Sequence, residues 1–268
     1  MITPIQAPIV IQARCSSSRL PSKVLMPFVD QMLMLEFQYK RLSEFFPYVV
    51  IATSTDTTDD PISELCEKNS MNCYRGSLQN VMLRLIEATS LFDSSADCSS
   101  FIRVGGDDPL ISPEGIVMTY EQHIQKLGNF ESLAMTYSSY DDGLTYGCAC
   151  ECFTSDLYRR QIDSISALSE QSTKSFLLEH TKPSFSKSTA FNLPNLGTSK
   201  ASIPLSMTNK NVSLSIDYPE DFLFVSYVAS RVVAEYGFKY SHFNLLDLLF
   251  TIPFPLKINS SLHNGFGE

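Results

Sequence analysis

Apolar runs alternate with amphipathic stretches from Pro8 to Pro109. Pro8–Ala13 (PIVIQA) is a short apolar run of the kind that forms a strand buried on both faces. Leu35, Tyr39, Leu42 and Phe46 recur at helical spacing and predict a helix over Gln31–Phe46, stopped by Pro47. Tyr48–Thr53 (YVVIAT) predicts a second buried strand. Asp60-Pro61 opens a helix reaching about Ser70, with Pro at the first helical position and Ile62, Leu65 and Cys66 on one face. Met71–Tyr74 reads as a strand, Ser77 as the cap of a helix over Leu78–Leu91, and Phe101–Val104 as a further strand.

This alternation predicts an α/β fold with a mainly parallel sheet and helices on both faces. Ligands of such sheets sit outside the carboxyl ends of the strands, which singles out the loops Arg14–Ser22, Thr53–Asp60 and Gly105–Pro109. The second half is less regular. Leu133–Thr136, Cys148–Phe153 and Val212–Ile216 read as strands, Phe176–His180 as a helix end and Pro219–Tyr236 as a helix. Thr181–Lys210 is polar and carries three prolines, so it reads as a long arm or loop suited to packing on a second copy of the chain. The expected organisation is a single domain over residues 1–258, with 259–268 as a tail.

Composition narrows the function. Twenty Lys and Arg against 29 Asp and Glu leave a net charge of −9, which argues against a nucleic-acid partner but not against a small anion held by local charge. The apolar stretch Phe243–Leu256 is broken by Asp247, Pro253 and Pro255, so no membrane span is expected. Seven cysteines, an odd count with no secretion signal, point to reduced thiols and a cytoplasmic setting.

Three segments carry candidate chemistry. Arg14–Lys23 (RCSSSRLPSK) brings three cations and four serines into one turn region after a buried strand. Small residues let backbone N–H groups approach an anion, and Arg and Lys neutralise it. Spacing alone leaves open an ordinary solvated basic loop, and the P-loop pattern is absent. Asp107-Asp108, on Gly105-Gly106 after a strand, could present a carboxylate to a divalent metal or simply form a turn. Asp217 ends a strand, while Glu220 and Asp221 suit a helix N-terminus. Cys148, Cys150 and Cys152 alternate as buried small side chains would, without zinc-site spacing. Cys15 lies beside arginines that could lower its pKa, but no histidine is near it in sequence to support nucleophilic chemistry.

Ile9–Leu25 (IVIQARCSSSRLPSKVL) resembles the first signature of the cytidylyltransferases that activate acidic sugars, nearest to their SpsF-like branch. Val50–Pro61, Tyr74–Arg84, Phe101–Pro113, Glu179–Thr181 and Ser215–Asp221 resemble further segments of that family in the same order. The resemblance implies a nucleotide-diphosphosugar-transferase α/β three-layer sandwich with a small β-rich extension. It also implies an enzyme that joins CMP from CTP to a sialic-acid-like or octulosonic-acid-like sugar for bacterial surface polysaccharide, releasing pyrophosphate.

Carried over, the resemblance assigns the nucleotide to Gln12, Ala13, Arg14, Ser16, Ser17, Ser18, Arg19, Lys23, Thr53, Ser54 and Arg103. Arg14, Lys23 and Asp107 would be catalytic, and Asp107 and Asp217 would hold Mg²⁺. Arg75, Gly76, Arg84 and His180 would face the substrate, and the protein would be a homodimer. Three positions depart from the family pattern: Ser16 and Ser22, where Gly is frequent, and Asn80, where Asp is usual. Two other readings stay open at this point: a transferase of the same fold using a different nucleotide or a nucleotide sugar, and a non-catalytic nucleotide-binding protein.

Overall fold

A computed structural model describes residues 5–128, 133–138, 144–159, 197–202 and 212–252. Its centre is a seven-stranded sheet in the order β5-β4-β1-β6-β8-β7-β9. The strands are β1 (Ile9–Gln12), β4 (Val49–Ser54), β5 (Cys73–Gly76), β6 (Ser100–Gly105), β7 (Leu133–Tyr137), β8 (Glu151–Thr154) and β9 (Gly197–Lys200). β5, β4, β1 and β6 run parallel to one another, β8 is antiparallel to both β6 and β7, and β9 is parallel to β7.

Successive residues on a strand face opposite ways. Ile9, Ile11, Val49, Ile51, Ile102 and Val104 therefore enter one core. That core also takes in α1 (Met34–Ser43), α2 (Asp60–Lys68), α4 (Pro113–Leu127), α6 (Pro219–Tyr236) and α7 (His242–Thr251). Val10, Val50, Ala52, Phe101 and Phe153 enter the other core, with α3 (Val81–Ala88) and Tyr158 of α5 (Ser155–Arg159). The result is the helix–sheet–helix layering expected from the sequence, and the strands buried on both faces are the ones whose runs lack polar alternation. Among the described residues no helix is long and apolar enough to cross a membrane.

Several boundaries differ from expectation. The first helix begins at Met34 rather than Gln31, because β2 (Pro27–Val29) and β3 (Met32–Leu33) form an antiparallel ribbon turned by Asp30 and Gln31, both left-handed with φ of 46° and 68°. The third helix is capped by Asn80, whose side chain accepts from Leu83 N at 3.0 Å, rather than by Ser77. Asn is as good an N-cap as Asp, so this departure from the family pattern costs the helix nothing.

Val212–Ile216 is not a strand. It joins the molecule through an isolated bridge from Ser213 to Tyr146 and a bond from Leu214 N to Tyr146 O. β8 starts only at Glu151, so of the three alternating cysteines Cys152 alone lies on a strand.

Of Thr181–Lys210, read as a long arm or loop, only 197–202 lie among the described residues. Gly197–Lys200 is the sheet's edge strand, and the Lys126 ammonium donates to Lys200 O at 2.8 Å. The argument for a dimerisation arm loses those residues. The helix end at Phe176–His180, with His180 itself, and the tail 259–268 lie outside the described residues.

Candidate active site

The carboxyl ends of β1 and β6 open onto a cleft of about 470 Å³. Gln12, Arg14, Ser16, Ser17, Ser18, Arg19, Lys23, Val24, Arg103, Gly105, Gly106, Asp107 and Asp217 line it. Segments more than 190 residues apart in sequence are thereby brought to one wall, since Lys23 and Ile216 are separated by 193 positions.

The loop after β1 is shaped by its own backbone. Ser17 N and Ser22 N both donate to Cys15 O, at 2.8 and 2.9 Å, and Cys15 N donates to the buried Asp59 carboxylate at 2.7 Å. Ser22 is left-handed, with φ of 55°, which explains why glycine suits that position; Ser16 needs no such angle. A 3-10 turn over Lys23–Leu25 then aims Lys23 inward. Cys15 is buried, and burial followed by the Asp59 charge pushes its thiol up. The expected lowering by arginine is therefore overturned, and Cys15 is not a ready thiolate.

Lys23 is the centre of the cleft. Its ammonium lies 3.2 Å from Asp107 Oδ2 and 3.5 Å from Asp217 Oδ1, and it donates to Ile216 O. Arg19 adds a second cation, 2.8 Å from Asp217 Oδ1, with its guanidinium 5.3 Å from the centre of the Tyr218 ring. The Lys23 side chain is 7% exposed and Asp217 10%, whereas Asp107 is 39% exposed and faces the cleft mouth.

Asp107 is held by the backbone. Ile216 N donates to Asp107 O at 2.9 Å, tying this turn directly to the segment that carries Asp217. Gly106 lies so close to β1 that a Cβ would sit 2.8 Å from Gln12 O. Burial, and then the charge of Asp107, pushes the neighbouring Asp108 carboxyl up to about 8. The sequence marks Asp107-Asp108 as a pair, and it is Asp107, not Asp108, that lines the cleft.

At the other end of the cleft, Arg103 is fixed by two strands. The β6–β8 register sets it opposite Glu151, whose two carboxylate oxygens accept from Arg103 Nη1 at 3.1 and 3.0 Å. Arg103 Nε donates to Gln12 Oε1 at 3.0 Å. Burial works against the Arg103 charge, and Glu151 more than restores it. Glu151, an isolated acid in a β segment, was missed as part of the site.

Not every expected residue reaches the cleft. Ala13 is buried behind its wall. Thr53 and Ser54 are fully buried and do not line the cleft, and the Ser54 hydroxyl braces the loop by donating to Asp59. Arg75 is spent on that same loop: it donates to Ser54 O at 2.9 Å, Asp56 O at 3.0 Å and the Asp60 carboxylate at 2.6 Å. Arg84 is fully buried and donates to Ser77 O at 2.6 Å, with Gly76 packed against it. In this structure the Arg75 side chain is engaged by its own loop and the Arg84 side chain is buried against Ser77 and Gly76, so neither lines the cleft.

A divalent cation would fit between Asp107 and Asp217. Both carboxylates already converge on one positive group, the Lys23 ammonium. Among the described residues no three His, Cys, Asp or Glu side chains cluster to hold a metal unaided. Two carboxylates suit a hard divalent cation that takes oxygen ligands and draws few of them from the protein. The three alternating cysteines form no such cluster; all are buried, and burial pushes their thiols up.

The chain has the fold of the α/β nucleotidyltransferases. It aligns with a cytidylyltransferase from Leptospira borgpetersenii serovar Hardjo-bovis at a TM-score of 0.70 and 22% identity, covering 92% of this chain and 94% of that one. A CMP:2-keto-3-deoxy-manno-octonic acid synthetase complexed with CTP aligns at 0.53 and 15% identity, over 84% of this chain and 99% of that one. At these identities the likeness is one of fold.

The chain belongs to the cytidylyltransferase family, whose model matches residues 8–145. Over 122 residues it is 33% identical to the spore coat polysaccharide biosynthesis protein SpsF of Bacillus subtilis, covering 44% of this chain and 49% of that protein. It is also 31% identical over 149 residues to the uncharacterised protein MJ1063 of Methanocaldococcus jannaschii, covering 55% of this chain and 56% of that protein. The chain thus spans about half the length of the curated relatives it matches.

Proposed function

We propose that this chain is a Mg²⁺-dependent cytidylyltransferase that transfers CMP from CTP to an acidic sugar and releases pyrophosphate, in the assembly of surface polysaccharide. The observation that carries this reading is the meeting of Lys23 with Asp107 and Asp217 beside the Arg14–Arg19 loop. The family match and the partial similarity to SpsF support the nucleotide and the pathway class.

In this reading Arg14, Arg19 and Lys23, with backbone N–H groups of the serine-rich loop, bind the triphosphate and neutralise it. Such cations are needed in an acidic protein, because bare carboxylates would repel the nucleotide. Asp107 and Asp217 would hold Mg²⁺, which when bound offsets phosphate charge and lowers the pKa of the attacking hydroxyl. The sugar's anomeric hydroxyl attacks the α-phosphorus in line. One P–O bond forms to the sugar oxygen, the bond from the α-phosphorus to the oxygen bridging to the β-phosphate breaks so that pyrophosphate leaves, and the hydroxyl proton passes to solvent water. Positioning and electrostatics do most of the work in such a transfer.

The test is to incubate the protein with Mg²⁺, a sugar acid (N-acetylneuraminate or 3-deoxy-manno-octulosonate) and CTP, UTP, GTP or ATP separately, and to measure pyrophosphate. Release with CTP alone is expected. Release with another nucleotide, or with none across a panel of sugar acids, would overturn the reading.

A further inference from the structure

The inner face of α1 is apolar at Met34, Leu35, Phe37 and Leu42, yet it also buries Gln38 and Arg41 completely. Gln38 Nε2 donates to Gly105 O at 2.7 Å and to Asp108 O at 3.0 Å. These are the carbonyls on either side of Asp107. One turn further along the helix, Arg41 Nη1 donates to Ile111 O at 2.6 Å, with its guanidinium stacked 4.0 Å from the centre of the Tyr240 ring. One helix face thus grips the loop after β6 at three carbonyls.

The backbone does not need Gln38 to be satisfied. Asp108 N already donates to Gly105 O, and Ile111 N to Asp108 O, each at 3.2 Å. The other end of the Gln38 amide is a liability, because Oε1 is buried without a hydrogen-bond partner. An orphaned buried polar atom costs about 1–3 kcal/mol, and a methionine of similar shape would avoid that cost. A residue that weakens the core while bracketing an exposed site carboxylate is explained by what it positions.

We propose that Gln38 is a positioning residue that fixes the Gly105–Asp108 turn, so that Asp107 faces Asp217 at the separation one divalent cation requires. The inference rests on the proposed function, in which those two acids hold the metal with the nucleotide. It accounts for a buried polar α1 residue that lies outside the cleft lining. It predicts that Gln38 governs the metal-dependent part of nucleotide binding and leaves the metal-independent part alone.

The test is calorimetric titration of CTP in EDTA and again in Mg²⁺, with urea unfolding of the same samples, on wild type, Gln38→Met and Gln38→Leu. Wild type should bind CTP more tightly in Mg²⁺. Gln38→Met should unfold at the same or higher urea, keep its EDTA affinity, and lose about tenfold of the Mg²⁺ enhancement, as loss of an outer-shell support does. An undiminished enhancement in a folded variant would overturn the inference while leaving the proposed function intact. Clear destabilisation of both variants would also overturn it, since Gln38 would then serve packing. If wild type shows no Mg²⁺ enhancement, the metal assignment itself falls, and this inference with it.

Discussion

The Lys23 ammonium stands 3.2 Å from the carboxylate of Asp107, although 84 positions separate the two residues in sequence. The same ammonium reaches Asp217, so one cation holds two acids that would otherwise repel each other. Lys23→Met removes that neutralisation and, in the proposed reaction, a phosphate contact as well. Because Lys23 and Asp217 are largely buried while Asp107 is partly solvated, the expected loss is about 2 kcal/mol in urea unfolding. Pyrophosphate release should fall by about a hundredfold. Unchanged stability and turnover would contradict the pairing.

Asp107→Asn and Asp217→Asn each keep the side chain's size and remove its charge. Either should abolish Mg²⁺-dependent pyrophosphate release, with far-ultraviolet circular dichroism unchanged. Asp217→Asn should also break the ion pair to Arg19, whose guanidinium lies 2.8 Å from that carboxylate. Near-normal turnover in either variant would remove the metal assignment.

Gly147 adopts φ of 88°, and a Cβ there would sit 2.5 Å from the Leu214 carbonyl carbon and run into Ser215 N. The adjacent Tyr146–Ser213 bridge anchors the segment leading to Asp217. Gly147→Ala should therefore cost about 3 kcal/mol of stability by urea unfolding and weaken CTP binding in Mg²⁺. A variant as stable as wild type would show that the segment is not held this way.

His123 is fully buried on α4, hydrogen-bonded to Thr136 Oγ1 at 3.0 Å and Thr154 Oγ1 at 3.1 Å. Burial, helped by Lys126, lowers its pKa from 6.5 to about 4. Above its unfolded value the ring is neutral in both states, and nothing is lost. As the pH falls from about 6.5 to about 4, the unfolded chain takes up a proton that the folded one refuses, so stability declines by about 3 kcal/mol. Urea unfolding of wild type and His123→Gln at neutral pH and down to pH 4 should show the variant losing less over that range. Parallel losses would place the acid sensitivity elsewhere.

The parts of the fold that could be read from the sequence are those in which burial alone dictates the pattern. β1, β4 and β6 are apolar on both faces and stood out; so did α2, with its Asp-Pro start. β9 was hidden because Gly197–Lys200 is short and polar at a sheet edge, where little apolar burial is required. Val212–Ile216 has the apolar alternation of a strand, yet it pairs only by the bridge from Ser213 to Tyr146 and by backbone bonds to Tyr146 O and Asp107 O.

The charges of Arg14, Arg19 and Lys23 alone leave a solvated basic loop open, and it is the family resemblance that joins them to the distant Asp107 and Asp217 in one cleft. Arg75 and Arg84 carry the same charge but are consumed by nearby carbonyls, which only the folded backbone reveals. Gln38 left one trace, a polar residue on the apolar stripe of α1.

The most direct test of the central claim is a crystal structure with CTP and Mg²⁺. The triphosphate should lie along the Arg14–Arg19 loop with the metal between Asp107 and Asp217, and the Lys23 ammonium should have turned toward phosphate. A triphosphate bound away from that loop, or a cleft in which Lys23 keeps both acids while CTP sits elsewhere, would contradict it.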